Sequence, residues 1–299
     1  MMSDQAQLLR QMMNKEQEVL ERSTGEMHII TIASGKGGVG KSNFSVNLAL
    51  ALKEMGKNPI ILDADFGLAN VEILLGEQPQ YNLSHLIRGE CGIKEVVTRS
   101  KHGISFISGG SGIQEMNFLS THQITKISHE LAQLSEFTDI LIIDTGAGIN
   151  DIVVKFCNLS DQLYIVVTPE PPSITDGYAL LKTLISQFDF QSTAKLVINK
   201  AESQKEAHEV FKKLSYVCEK FLKFNLHYAG FIPYDDQLFK AVKEQIPLVK
   251  YAPHSKASHA YYQMATLCMA SLGISIEKIH KKESWMSRLK KCLLNDKNS

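Results

Sequence analysis

No run in the sequence approaches the ~18 apolar residues that cross a membrane, and the N-terminus carries no apolar signal core. Neither a spanning segment nor an export signal is expected. Neither charge is in excess, with 32 Lys+Arg against 32 Asp+Glu. That balance disfavours nonspecific nucleic-acid binding by the whole surface and leaves only local patches. The five cysteines, Cys91, Cys157, Cys218, Cys268 and Cys292, are scattered and form no Cys-x-x-Cys pair. A disulfide framework or an iron–sulfur site has no basis in that spacing, and a reducing cytosol is the expected compartment. What is present is 44% hydrophobic residues in a chain of 299, enough for a sizeable core with tails.

The most informative stretch is Gly35-Lys36-Gly37-Gly38-Val39-Gly40-Lys41-Ser42, which satisfies the phosphate-binding pattern of Gly, four residues, Gly, Lys and Ser/Thr. Its glycines let backbone N–H groups curl around an anion. In that pattern Lys41 reaches the β- and γ-phosphates, and the Ser42 hydroxyl reaches Mg²⁺. An apolar run, His28 to Ala33, precedes the loop, and a helical pattern from Asn43 to Met55 comes after it. Strand, loop and helix is the context the motif requires. The expected nucleotide contacts are therefore Gly35, Lys36, Gly37, Gly38, Val39, Gly40, Lys41, Ser42 and Asn43.

Strands and helices alternate beyond the loop, so the expected class is α/β, with a mainly parallel, doubly wound sheet and helices on both faces. Pro59 to Leu62 reads as a strand ending in Asp63-Ala64-Asp65, and Asp139 to Asp144 as a buried strand ending in a carboxylate. Carboxylates at the C-terminal ends of strands face the ligand crevice of such a sheet. Further strands are expected over 104–107, 162–168 and 194–199. Helices are expected over 121–135, 174–188, 202–224 and 254–272, with a surface helical pair in 81–98.

Lys36, the second lysine of the loop, is not needed by an ordinary phosphate loop. With it the sequence resembles the MinD/ParA group of deviant phosphate-loop ATPases. The resemblance implies that Lys36 crosses a nucleotide-sandwich homodimer to the partner's phosphates, that Asp65 positions the attacking water, and that Lys36, Lys41 and Asp65 together carry catalysis. It also implies that Asp63 and Asp144 join Ser42 on the magnesium side, and that Thr145-Gly146-Ala147-Gly148 is a second switch whose glycines move. Asn199 would read adenine, and a loop containing Pro233 and Asp235 would close over the base. Asn199-Lys200-Ala201-Glu202 also comes near the Asn-Lys-x-Asp guanine reader, so guanine is a second reading of the same residues.

Two terminal segments complete the expectation, giving divisions at 1–26, 27–273 and 274–299. Asp4 is a plausible N-cap. Leu8, Leu9, Met12, Met13, Val19 and Leu20 share a helical face with Gln5, suited to another protein's groove or to this protein's own body. The Asp4-Gln5-Ala6-Gln7-Leu8-Leu9-Arg10 element is similar to that of the flagellar, FlhG/YlxH-type branch. That likeness implies contacts from Asp4, Gln5, Leu8, Leu9 and Arg10 to the SRP-type GTPase FlhF. At the other end Trp285, Met286, Leu289, Cys292 and Leu293 fall in one arc, with Arg288, Lys290 and Lys291 opposite or at its edge. This is the pattern of an interfacial helix, in line with peripheral attachment to the inner face of the cell membrane through Trp285, Met286, Leu289 and Leu293. Cell-division site selection of the MinD type and DNA partitioning of the ParA type are the alternative roles within the group.

Overall fold

The computed structural model describes residues 27–65, 70–110, 130–131, 133–188 and 190–274. The N-terminal partner element and the C-terminal interfacial helix lie outside the described residues, as does most of the helix expected over 121–135.

Among the described residues, eight strands form one sheet. They are β1 (His28–Ser34), β2 (Pro59–Ala64), β3 (Thr98–Arg99), β4 (Ser105–Ile107), β5 (Ile140–Ala147), β6 (Gln162–Val167), β7 (Thr193–Ala201) and β8 (His227–Pro233). Their order is β3-β4-β2-β5-β1-β6-β7-β8, and all pairings are parallel except that of β3 with β4. The helices are α1 (Lys41–Glu54), α2 (Asn70–Leu75), α3 (Leu83–Arg88), α4 (Ile93–Val96), α5 (Asp151–Leu159), α6 (Pro171–Gln187), α7 (Gln204–Val217), α8 (Asp236–Lys243), α9 (Leu248–Tyr251) and α10 (Lys256–Ile274).

The central strand shows why the sheet is covered on both sides. Ile30 and Ile32 of β1 pack with Phe44 and Leu48 of α1 and Tyr261 and Met264 of α10. Ile29 packs on the other face with Leu83, Leu86 and Phe156, and Ala33 with Val153, Leu180 and Leu214. A strand apolar on both faces is what a parallel sheet between two helical layers requires. Phe44 through Leu52 of α1 are buried all round, because that helix is enclosed by the sheet, α2, α9 and α10.

Sequence and structure differ in several places. Helix α6 begins at Pro171 rather than 174, with proline at its first two positions. Those positions have no intrahelical acceptor for an N–H, so proline starts the helix instead of stopping it. The segment expected as one helix over 202–224 passes from α7 into a π-helical turn, Cys218–Leu222. Strand β8 is unmarked in the sequence because an edge strand pairs on one side only and tolerates His227 and Gly230. Thr145 to Ala147 belong to β5. Thr145 pairs with Ala64 and Ala147 with Ser34, as part of β5, and Gly148 N–H donates to the Ser34 carbonyl at 3.0 Å.

Candidate nucleotide site

Parallel strands bring the C-terminal ends of β1, β2, β5, β6 and β7 to one end of the sheet, where the phosphate-binding loop joins β1 to α1. Gly40 caps α1 with φ 95°, a left-handed conformation that directs the helix's first N–H groups toward the loop and that glycine adopts without strain. Gly35 is needed for space: a Cβ there would run into the backbone carbonyl of Asp176 in α6.

Lys41 is the first residue of α1 and only 7% exposed. Burial pulls its ammonium down from the usual lysine range, while Asp144 and Asp65 hold it up. Beside it, Asp63 of β2 and Asp144 of β5 are direct partners in the parallel ladder, and both are buried. Two carboxylates side by side and away from water resist ionisation. Asp63 is raised to about 7, first by burial and then by Asp144, although Asp65 N–H and Val71 N–H each donate to it at 3.0 Å. Asp144 is raised to about 6 by burial, with the Ser42 and Ser45 hydroxyls and Lys41 opposing the shift.

The two oxygens of Asp144 differ. Oδ1 accepts from the Ser45 hydroxyl at 2.9 Å, whereas Oδ2 is buried without a hydrogen-bond partner. An orphaned, buried carboxylate oxygen near the Ser42 hydroxyl fits a divalent cation. No group of three or more His, Cys, Asp or Glu with metal-holding geometry exists among the described residues.

Asp65 lies at the rim. Its Oδ2 accepts from Asn70 Nδ2 at 3.0 Å, and a Cβ on Gly146 would stand 3.4 Å from its Oδ1, so the residue after β2 abuts the end of β5. Lys36 Nζ is 2.9 Å from Glu170 Oε2, a partly exposed pair. Asn199 is buried against the loop: its Nδ2 donates to the Val39 carbonyl at 2.7 Å and its Oδ1 accepts from Lys200 N–H at 2.9 Å. Lys200, in a left-handed conformation with φ 59°, sends Nζ to the Gly38 carbonyl at 3.1 Å. Asn43 gives its carbonyl to Asn47. Pro233 ends β8 opposite Ala201. Asp235 is taken by the protein's own backbone, with Oδ1 accepting from Gln237 N–H at 2.9 Å and Oδ2 from Ala257 N–H at 3.3 Å.

The structure thus gathers Gly35 to Ser42, Asp63, Asp65 and Asp144 around one loop, braces that loop with Asn199, and sets Asp235 to capping α8 and α10. Sequence reasoning missed Ser45, Asn70, Glu170 and the Lys200 contact. Ser45 stands one turn after Lys41, a spacing that could have flagged it.

Comparison with known proteins finds relatives over most of the chain. The ParA family model, described as NUBPL iron-transfer P-loop NTPase, matches residues 26–269. The antiactivator FleN of Pseudomonas aeruginosa is 40% identical over 247 residues, covering 82% of this chain and 88% of its own. The flagellum site-determining protein YlxH of Helicobacter pylori is 34% identical over 297 residues, covering 98% of this chain and 100% of its own. Among solved structures, MinD of Pyrococcus horikoshii complexed with Mg-ADP superposes with a TM-score of 0.66 at 23% identity, covering 84% of this chain and all of that one. The chain belongs to the ParA/MinD family of P-loop ATPases.

Proposed function

We propose that this ATPase is a magnesium-dependent switch controlling flagellar number or placement, which dimerises on ATP and acts at the membrane. The observation that carries the nucleotide part is Asp144 Oδ2, buried and unpartnered beneath the phosphate loop. The Mg-ADP in the Pyrococcus MinD structure supports an adenine nucleotide. The flagellar part is supported by the FleN and YlxH likenesses, the latter running the full length of its protein.

In this reading the N–H groups at the start of α1 cradle the phosphates and Lys41 neutralises charge that develops on them. Magnesium, when bound by Ser42 with Asp63 and Asp144 behind it, neutralises the phosphate oxygens. Asp65, steadied by Asn70, orients the attacking water. Asn199 contributes by fixing Val39, with one amide N–H left over for a base. Two subunits close over their nucleotides and each sends Lys36 to the other's phosphates. Exposed Ile73, Ile149, Tyr234 and Phe239 all come after C-terminal strand ends and supply apolar surface for that closure. The segment over 283–294 then holds the dimer on the membrane, two copies binding far more firmly than one, and the segment around Gln5 stimulates FlhF.

Sedimentation of Asp65→Ala with ATP and with ADP tests the switch: a dimer with ATP and a monomer with ADP are expected, and a monomer in both overturns it. Deleting residues 1–24 should leave ATP turnover intact while abolishing stimulation of the GTPase. Removing residues 283–299 should abolish ATP-dependent co-sedimentation with liposomes.

A further inference from the structure

We infer that Ser45 is a positioning residue that sets which divalent cation the site prefers: by occupying one oxygen of Asp144, it leaves the carboxylate only the other to offer. The inference rests on the magnesium site of the proposed function. Ser45 Oγ donates to Asp144 Oδ1 at 2.9 Å, and Asp144 Oδ2 is buried with no hydrogen-bond partner. Both residues are 0% exposed, so bulk water does not stand in for the hydroxyl. They lie 99 residues apart, one on α1 and the other on β5, and the packing of that helix on the sheet sets their contact.

The hydroxyl has one proton and two acceptors in reach. The second is the Lys41 carbonyl, one turn back at 3.1 Å. An ionised carboxylate is the stronger acceptor and here also the nearer, so the proton goes to Asp144. Asp63, its partner in the ladder, has no comparable opening: Oδ1 accepts from Asp65 N–H and Oδ2 from Val71 N–H, each at 3.0 Å. The buried pair therefore presents one oxygen without a donor. Cations differ in how that serves them. Magnesium is small, holds an octahedral shell and retains waters, so a single carboxylate oxygen suits it, whereas calcium takes about six to eight oxygens and can draw both from one carboxylate. Freeing Oδ1 lets Asp144 grip a larger ion with both oxygens and loses the orientation that serves the smaller one.

The test uses the full chain with ADP and either magnesium or calcium chloride, and reads the metal concentration that gives half of the nucleotide-dependent rise in melting temperature. In Ser45→Ala the preference for magnesium over calcium should shrink by about 10-fold. Ser45→Thr keeps the hydroxyl and should keep the preference. Ser45→Cys, a weak donor, should fall between them, and it carries the test if the alanine variant does not fold. An unchanged preference in the alanine or the cysteine variant, including equal weakening of both cations, overturns the role of Ser45 alone. A threonine variant that loses the preference as far as alanine does so too, because packing and not the hydroxyl would then be responsible. A wild type whose stabilisation by ADP ignores magnesium overturns the magnesium site and the role of Ser45 with it.

Discussion

Asp144 and Asp235 both sit at the C-terminal end of the sheet, yet they are held in opposite ways. Asp144 is buried beside Asp63, raised to about 6, and keeps one oxygen without a donor. Asp235 has both oxygens satisfied by backbone N–H groups at the starts of α8 and α10. A buried acceptor left unmade costs free energy that the fold does not recover by itself. Asp144 thus keeps an unmet acceptor, whereas Asp235 is already satisfied by the protein alone.

The largest effect should come from Lys41→Ala. It removes the cation that faces Asp144 and Asp65 and, in the proposed reading, the phosphates, so ATP affinity should fall by at least about 100-fold, and the nucleotide-free protein should melt earlier. Calorimetric titration and a melting curve read the two effects; retained affinity would place the ligand elsewhere. Next is Asp144→Asn, which removes a buried charge without changing shape. The nucleotide-free variant should melt at or above the wild type, while magnesium-dependent stabilisation by nucleotide is lost. If magnesium still adds its full increment, the orphaned oxygen is not where the cation goes.

The pH response derives from the same pair. Folded-state values of about 7 and about 6 lie above the ordinary 3.8. Protonation therefore favours the folded state: the extra stability is complete below about pH 4 and is lost as pH rises through 7. Magnesium and nucleotide need the ionised pair, so the rise in melting temperature that they cause should grow from pH 5.5 to 7.5. Asp144→Asn should flatten that rise.

The two regions were not equally legible in the sequence. The phosphate side was, because Gly35 to Ser42 obeys a spacing rule and because Asp63 and Asp144 end apolar runs that only buried parallel strands explain. Their direct pairing was not, since register is decided by the whole sheet. Glu170 was invisible for the same reason, its partner lying 134 residues away, and for Ser45 only the one-turn spacing from Lys41 was readable, its partner Asp144 lying 99 residues away. On the base side the sequence placed Asn199 and Asp235 near one another in function, but which groups they would touch depended on β8, whose pattern is weak, and on α10 returning its N-terminus to Asp235. The strand pairing of Thr145 with Ala64 and of Ala147 with Ser34 was likewise not readable from the glycines alone.

The smallest effect distinguishes scaffold from ligand contact most directly. Asp235→Ala removes the side-chain acceptors of two backbone N–H groups at once, and losing such a cap costs about 1–2 kcal/mol. Chemical denaturation should show that loss. Affinity for ATP should change less than about threefold, because the phosphates and the cation carry most of the binding. If affinity instead falls tenfold while stability holds, Asp235 touches the base and the contrast with Asp144 collapses. If both fall together, the capped ends of α8 and α10 position the base pocket, and Asp235→Asn, which keeps an acceptor for Gln237 N–H, should restore most of each.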